Sequence, residues 1–127
     1  MTSCPFCELK SSRITAASEY AIAFRDAFPL TEGHTLVVPR QHVDCIYALS
    51  AEAHADLWAL VMEVRHSLAM ELNVNAFNIG VNDGIAAGQT IDHAHIHIIP
   101  RRPGDVDDPR GGIRYIIPGK ARYWSDT

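Results

Sequence analysis

The segment that most constrains this 127-residue chain is His93-Ala94-His95-Ile96-His97-Ile98, where imidazoles alternate without a break with small or branched apolar side chains. A period of two belongs to an extended strand, so His93, His95 and His97 share one face while Ala94, Ile96 and Ile98 share the other. One face is suited to packing and the other to chemistry. A half-solvated strand needs only polar residues on its wet side, and Thr, Lys or Glu would serve there equally well. Histidine adds a basic, nucleophilic nitrogen whose proton state changes near neutral pH. Three of the chain's seven histidines fall within these few residues. Side chains two apart on a strand stand about 7 Å apart, so three rings converge only on an object as large as a metal or a phosphate chain. The flanks favour phosphate. Gly84, Gly88, Gln89 and Thr90 offer close backbone approach, amide donors and a hydroxyl, and Arg101 and Arg102 follow directly. Pro100 is expected to close the strand.

Around this segment the pattern predicts an α+β domain. Residues 20–24, 35–38 and 74–81 are predicted strands, the second entered through Gly33 and ended by Pro39. From 51 to 72, Leu57, Val61, Val64, Leu68 and Leu72 recur at helical spacing on a background rich in Ala, Glu, Leu and Met. Ser50 is placed to cap that helix, with Glu52 adding favourable charge to its first turn. Asp83-Gly84 and Gly88 mark a turn before the histidine strand. In the tail, residues 113–117 are predicted as a short strand ended by Pro118. The expected architecture is one domain over 1–127, with a core at 4–102 and a C-terminal loop and short strand at 103–127. It is an antiparallel sheet of about five strands with one long helix. An open sheet of this size leaves an edge, and pairing with a second copy is the usual remedy. Trp58 is expected in the core or at that contact.

Composition excludes other classes. Hydrophobic residues make up 47% and charged residues 20%, with formal charge −4, which is neither disordered nor collagenous. No basic run supplies the field that a general nucleic-acid binder needs. No apolar run approaches the ~20 residues of a membrane span, and the first residues lack a leader pattern. The expected location is cytoplasmic. Cys4, Cys7 and Cys45 make an odd count, which argues against a disulfide scaffold. Cys4-x-x-Cys7 is either a reactive dithiol or half of a metal site.

The run His93 to Ile99 fits His, apolar, His, apolar, His, apolar, apolar throughout. With Asn82-Asp83-Gly84, Gly88-Gln89-Thr90 and Gly33-His34-Thr35-Leu36-Val37-Val38-Pro39 followed by His42, it resembles the histidine-triad (HIT) family of nucleotidyl hydrolases and transferases. The resemblance covers roughly residues 4–102. It implies a HIT-like fold continued across a homodimer, and a double displacement at the α-phosphorus of an adenine nucleotide conjugate. His95 would be the nucleophile, its second nitrogen donating to a carbonyl. His97 would face the phosphoryl oxygens, with Thr90 and Asn82 on the phosphate or leaving-group side. Gly88 and Gln89 would bind substrate, although the long side chain of Gln89 also fits a brace for its loop. Asp26 would accept both ribose hydroxyls, although taken alone it also fits a turn carboxylate. Phe24 and Phe6 would wall the base, or simply pack.

The resemblance further implies a structural zinc held by Cys4, Cys7, His42 and His93, a donor set that suits tetrahedral zinc. His93 on a metal could not also contact substrate, so its two roles are alternatives. Cys45, three residues after His42, is a competing fourth ligand or, as expected, a small buried residue, and His34 is expected as a brace for the triad strand. His54 and His66 are expected at the helix surface. Arg110, Arg114 and Lys120 are candidates for the distal phosphates, and the Gly-Gly-x-Arg stretch is similar to bacterial diadenosine polyphosphate hydrolases. The expected activity is hydrolysis of adenine dinucleoside polyphosphates. The alternatives are nucleoside 5'-phosphoramidate hydrolysis and a nucleotide-binding zinc protein with little turnover. No organic cofactor, nucleic-acid polymer or membrane is expected as a partner.

Overall fold

The Ser50 hydroxyl accepts the Ala53 amide at 3.2 Å and starts the long helix α1 (Ala51–Leu72), which Asn73 ends in the left-handed conformation. This is the span that the Leu-Val stripe predicted. In the computed structural model, which describes residues 3–125, α1 packs on one face of a five-stranded sheet. The strands are β1 (Ile14–Ala17), β2 (Ala21–Arg25), β3 (Thr35–Pro39), β4 (Ala76–Val81) and β5 (Ile96–Arg101). Their order is β1-β2-β3-β5-β4 and every pairing is antiparallel.

Two apolar layers fix the sheet. Leu57, Leu60, Val61, Val64 and Leu68 of α1 meet Ala21, Ala23, Val37, Ala94, Ile96 and Ile98. On the opposite face Phe6, Ile22, Phe24, Leu36 and Val38 form a second cluster beneath the N-terminal segment. Each fully buried Leu or Val contributes about 1.5–3 kcal/mol, so the apolar side of the triad segment is firmly anchored. Among the described residues no helix is long and apolar enough to cross a membrane.

Four expectations need correction. The ladder of the triad strand begins at Ile96, not His93: β3 pairs with it only through Val37–Ile96 and β4 only through Val81–Ile96. Beyond that point Pro39 can give no amide, and its carbonyl accepts the His93 ring instead. Pro100 does not close β5, which runs to Arg101. Its carbonyl accepts the Thr31 hydroxyl beyond the last β3 pair, so the missing N–H faces a side with no ladder. Residues 113–117 are not a strand. Gly111 and Gly112 both have positive φ, and the chain then curls into 3-10 turns at Gly112–Ile116 and Pro118–Lys120. The fifth strand is β1, on the outer side of β2.

Gly33 enters β3 at φ +90°, where a Cβ would run into the Leu72 side chain and come within 3.2 Å of Pro100. Gly33→Ala therefore combines left-handed strain with overpacking and is expected to cost about 2–4 kcal/mol in a urea melt. A loss below about 0.5 kcal/mol would show that the turn relaxes freely.

Candidate active site

The site grows from the point where the ladder stops. Freed from strand pairing, the His93 carbonyl accepts the Nδ1–H of His95 at 2.8 Å. That bond fixes the tautomer, leaving Nε2 of His95 as the nitrogen with a lone pair. The ring is buried, with Phe6 edge-on at 5.2 Å and His97 at 5.1 Å between centroids. Backbone and packing together hold the imidazole in one orientation.

A second chain of bonds sets the tautomer of His97. The Leu30 amide can only donate, and it lies 3.0 Å from Nδ1 of His34, so that nitrogen is an acceptor. Burial pushes His34 below the ordinary imidazole value, against the pull of Asp26, and the neutral ring carries its proton on Nε2. This nitrogen stands 3.0 Å from Nδ1 of His97 and 3.5 Å from Oδ2 of Asp26. His34 therefore donates to His97, whose own proton sits on Nε2. Burial first, then the neighbouring His95 and His34, push His97 down to about 4, so it is neutral at pH 7. His97 thus presents a neutral N–H donor, which suits oxygens gaining negative charge. His34, expected only to brace the strand, orients a triad ring.

His93 is turned away from this pair. Its Nε2–H donates to the Pro39 carbonyl at 2.8 Å, while Nδ1 lies 3.2 Å from Nδ1 of His42 and 3.5 Å from Sγ of Cys4. Cys7 Sγ stands 3.2 Å from His42 Nδ1 and 3.6 Å from His93 Nδ1. All four ligand atoms lie within 4.8 Å of one another. A tetrahedral zinc with ordinary Zn–S and Zn–N bonds has donor-to-donor edges of about 3.3–3.8 Å, so these residues fit the ion. Burial keeps His93 neutral, and its bond to Pro39 points the lone pair into the cluster, as a metal ligand requires. With both nitrogens engaged, His93 contributes to the site through the carbonyl that orients His95. Cys45 stands apart, its sulfur accepting the Tyr47 amide at the cap of a 3-10 turn.

The other expected residues divide. Asp26, Asn82, His34 and His97 line one cleft of about 710 Å³. Asp26 is also the turn carboxylate that the loop needs, since Oδ1 accepts the Phe28 amide at 2.9 Å. Phe6 and Phe24 pack as a tilted pair with centroids 5.3 Å apart and are both buried, so they offer little surface to a ligand. Gln89 braces its loop, accepting from the Gly84 amide and donating to the Asp44 and Ile91 carbonyls. Gly88 and Thr90 are exposed at the end of that loop, Gly88 at φ +99°.

The basic residues are committed elsewhere. Arg101 holds Asp105 through two 2.8 Å bonds and Asn78 at 2.6 Å, and Arg102 turns to Glu32. Arg114 donates to the Ala121 and Lys120 carbonyls, and Arg110 pairs with Asp108. Arg101, Arg110 and Arg114 thus brace the C-terminal segment, while Arg102 reaches the turn before β3. Lys120 is exposed. On α1, Trp58 is 38% exposed, and His54 is only half-buried, beside Tyr47.

Residues 8–104 match the HIT domain. An asymmetrical bis(5'-nucleosyl)-tetraphosphatase of Schizosaccharomyces pombe is 34% identical over 97 residues, which cover 76% of this chain and 53% of that enzyme. The chain thus spans about half of that relative's length. An adenosine 5'-monophosphoramidase of the same organism is 36% identical over 103 residues, covering 78% of this chain and 74% of that one. A crystal structure of a Zn-bound histidine triad family protein from Mycobacterium smegmatis superposes with a TM-score of 0.73 at 34% identity, covering 81% of this chain and 78% of that one. The triad geometry, the sheet that carries it and these matches have one reading: the chain belongs to the HIT family.

Proposed function

We propose that the protein is a nucleotidyl hydrolase that cleaves adenine dinucleoside polyphosphates at the α-phosphorus through a nucleotidyl-His95 intermediate. The carrying observation is the 2.8 Å bond from His95 Nδ1 to the His93 carbonyl, which leaves the Nε2 lone pair free to act as the nucleophile. In the first step the Nε2 lone pair forms a bond to the α-phosphorus. The bond from phosphorus to the leaving phosphate oxygen breaks, and the leaving group departs with that electron pair. Positive charge then gathers on the ring, where the carbonyl of His93 accepts a strengthened bond. His97 donates to the phosphoryl oxygens, with Asn82 and Thr90 on the same side. In the second step a water oxygen attacks phosphorus and gives up a proton to solvent, the phosphorus–nitrogen bond breaks, its electrons return to Nε2, and the nucleoside monophosphate leaves.

A structural zinc on Cys4, Cys7, His42 and His93 is part of this reading. Bound there, it would tie the N-terminal segment to the segment that presents His95. A homodimer formed at an open edge of the sheet, whose outer strands are β1 and β4, also belongs to it.

Products from adenosine 5'-phosphoramidate, diadenosine triphosphate and diadenosine tetraphosphate test the assignment. Turnover confined to the phosphoramidate would make the protein a phosphoramidase, the reading that the monophosphoramidase relative favours. Binding with no turnover of any of the three would leave a nucleotide-binding zinc protein. The ribose role of Asp26 is separable: Asp26→Ala is expected to weaken adenosine ribonucleotide binding about tenfold, and that of the 2',3'-dideoxy form much less. Equal losses by calorimetry would return Asp26 to its turn.

A further inference from the structure

The cleft that holds Asp26, His34 and His97 has a second bank that the chemistry above leaves unused. It is built by the C-terminal segment, whose Ile113 and Ile116 line the cleft together with Phe28 and Leu30. All four side chains are exposed, Phe28 at 86% and Leu30 at 73%, Ile113 at 57% and Ile116 at 70%. Apolar groups gathered around a concave site mark a place where a ligand removes them from water. The floor between the banks is β4, where Gly80 leaves room. A Cβ on Gly80 would lie 3.7 Å from the Ile113 methyl, and one on Gly112 would lie 3.3 Å from the Asn78 amide nitrogen. The segment is therefore seated directly on the sheet.

This bank is also braced from behind. Arg114 reaches back to the carbonyls of Lys120 and Ala121 at 2.9 Å each and lies 4.8 Å over the Tyr123 ring. Arg110 covers Trp124 at 4.7 Å, and Gly111 turns under the same indole. Because these contacts fix the wall before any ligand arrives, little ordering entropy remains to oppose binding. Arg101 at the end of the cleft is neutralised by Asp105, so this bank does not serve as a polyphosphate clamp. At about 710 Å³ the cleft has room for a nucleoside-sized group and is continuous with the triad through His97 and Asn82.

We infer that Ile113 and Ile116 form a subsite for the leaving half of the substrate, taking the flat heterocycle of its second nucleoside between them and Phe28 and Leu30. The subsite rests on the nucleotidyl-transfer reading and gives this chain a means of preferring dinucleoside polyphosphates over conjugates with small leaving groups. Two contacts that reward only the larger substrate raise its kcat/KM relative to the smaller one.

The test is a ratio. For the I113A/I116A variant, kcat/KM for diadenosine tetraphosphate divided by that for adenosine 5'-phosphoramidate is expected to fall roughly tenfold or more. The single variant R114M, which frees the wall without touching the cleft face, should move the ratio the same way, and I113L should largely keep it. An unchanged ratio, or equal losses on both substrates, would overturn the subsite, because a wall for the transferred nucleoside affects both alike. If wild-type protein turns over neither compound, the hydrolase reading fails by itself. The subsite is then decided by calorimetry with a methylene-bridged diadenosine tetraphosphate against AMP. Selective weakening of the dinucleotide in I113A/I116A would uphold it, and parallel or absent effects would overturn it.

Discussion

His95→Ala is expected to lower turnover by roughly three orders of magnitude or more while changing nucleotide affinity only a few-fold. The asymmetry follows from position. On the proposed reading the ring supplies the atom that bonds to phosphorus, whereas ground-state binding would rest on groups such as Asp26 and Asn82, which line the cleft. The variant should also fold, because the bond it loses is one to a local carbonyl, and Ala94 and Ile96 still anchor the segment in the main core. Steady-state rates beside a binding isotherm check both halves. A variant that retains a tenth of the activity would mean that His95 orients substrate and another group attacks.

Loss of the proposed zinc is the second large expected effect. Cys4 and Cys7 belong to the N-terminal segment, His42 follows β3, and His93 precedes β5, so one ion would join three stretches that no ladder connects there. Phe6, between the two cysteines, covers both His93 and His95. The reduced protein is expected to carry one equivalent of zinc, and stripping it should lower Tm by about 10 °C or more, with activity falling alongside. Cys7→Ser should move in the same direction. Metal-free protein from a reducing preparation, with the same Tm before and after a chelator, would contradict the ion.

Much of this was legible in the sequence, for identifiable reasons. The helix came from one capping serine and a stripe of Leu and Val at fixed spacing, both local signals. The triad alternation placed Ala94, Ile96 and Ile98 in the core and the imidazoles away from it. What escaped was set by distant contacts. β1 is four residues of Ile, Thr and Ala whose pairing comes from β2 rather than from a strong pattern of its own. The tail pattern Ile-Arg-Tyr-Ile-Ile resembles a strand, yet Arg114 finds carbonyls a few residues on and curls the chain. The His34–His97 bond joins residues 63 apart and exists only because β3 and β5 pair in one register. The ion pairs of Arg101 with Asp105 and Arg110 with Asp108 depend on how the tail folds back, which no local pattern announces.

The proposed chemistry rests on one bond, that between the Nε2 of His95 and phosphorus. Rapid quenching of the enzyme during turnover of diadenosine tetraphosphate, followed by mass spectrometry of its peptides, measures it directly. The expected result is an acid-labile adenylyl group on the peptide containing His95, formed and lost at rates compatible with turnover. Substrate consumed at full rate with no adduct, or with the adduct on another side chain, would contradict the mechanism.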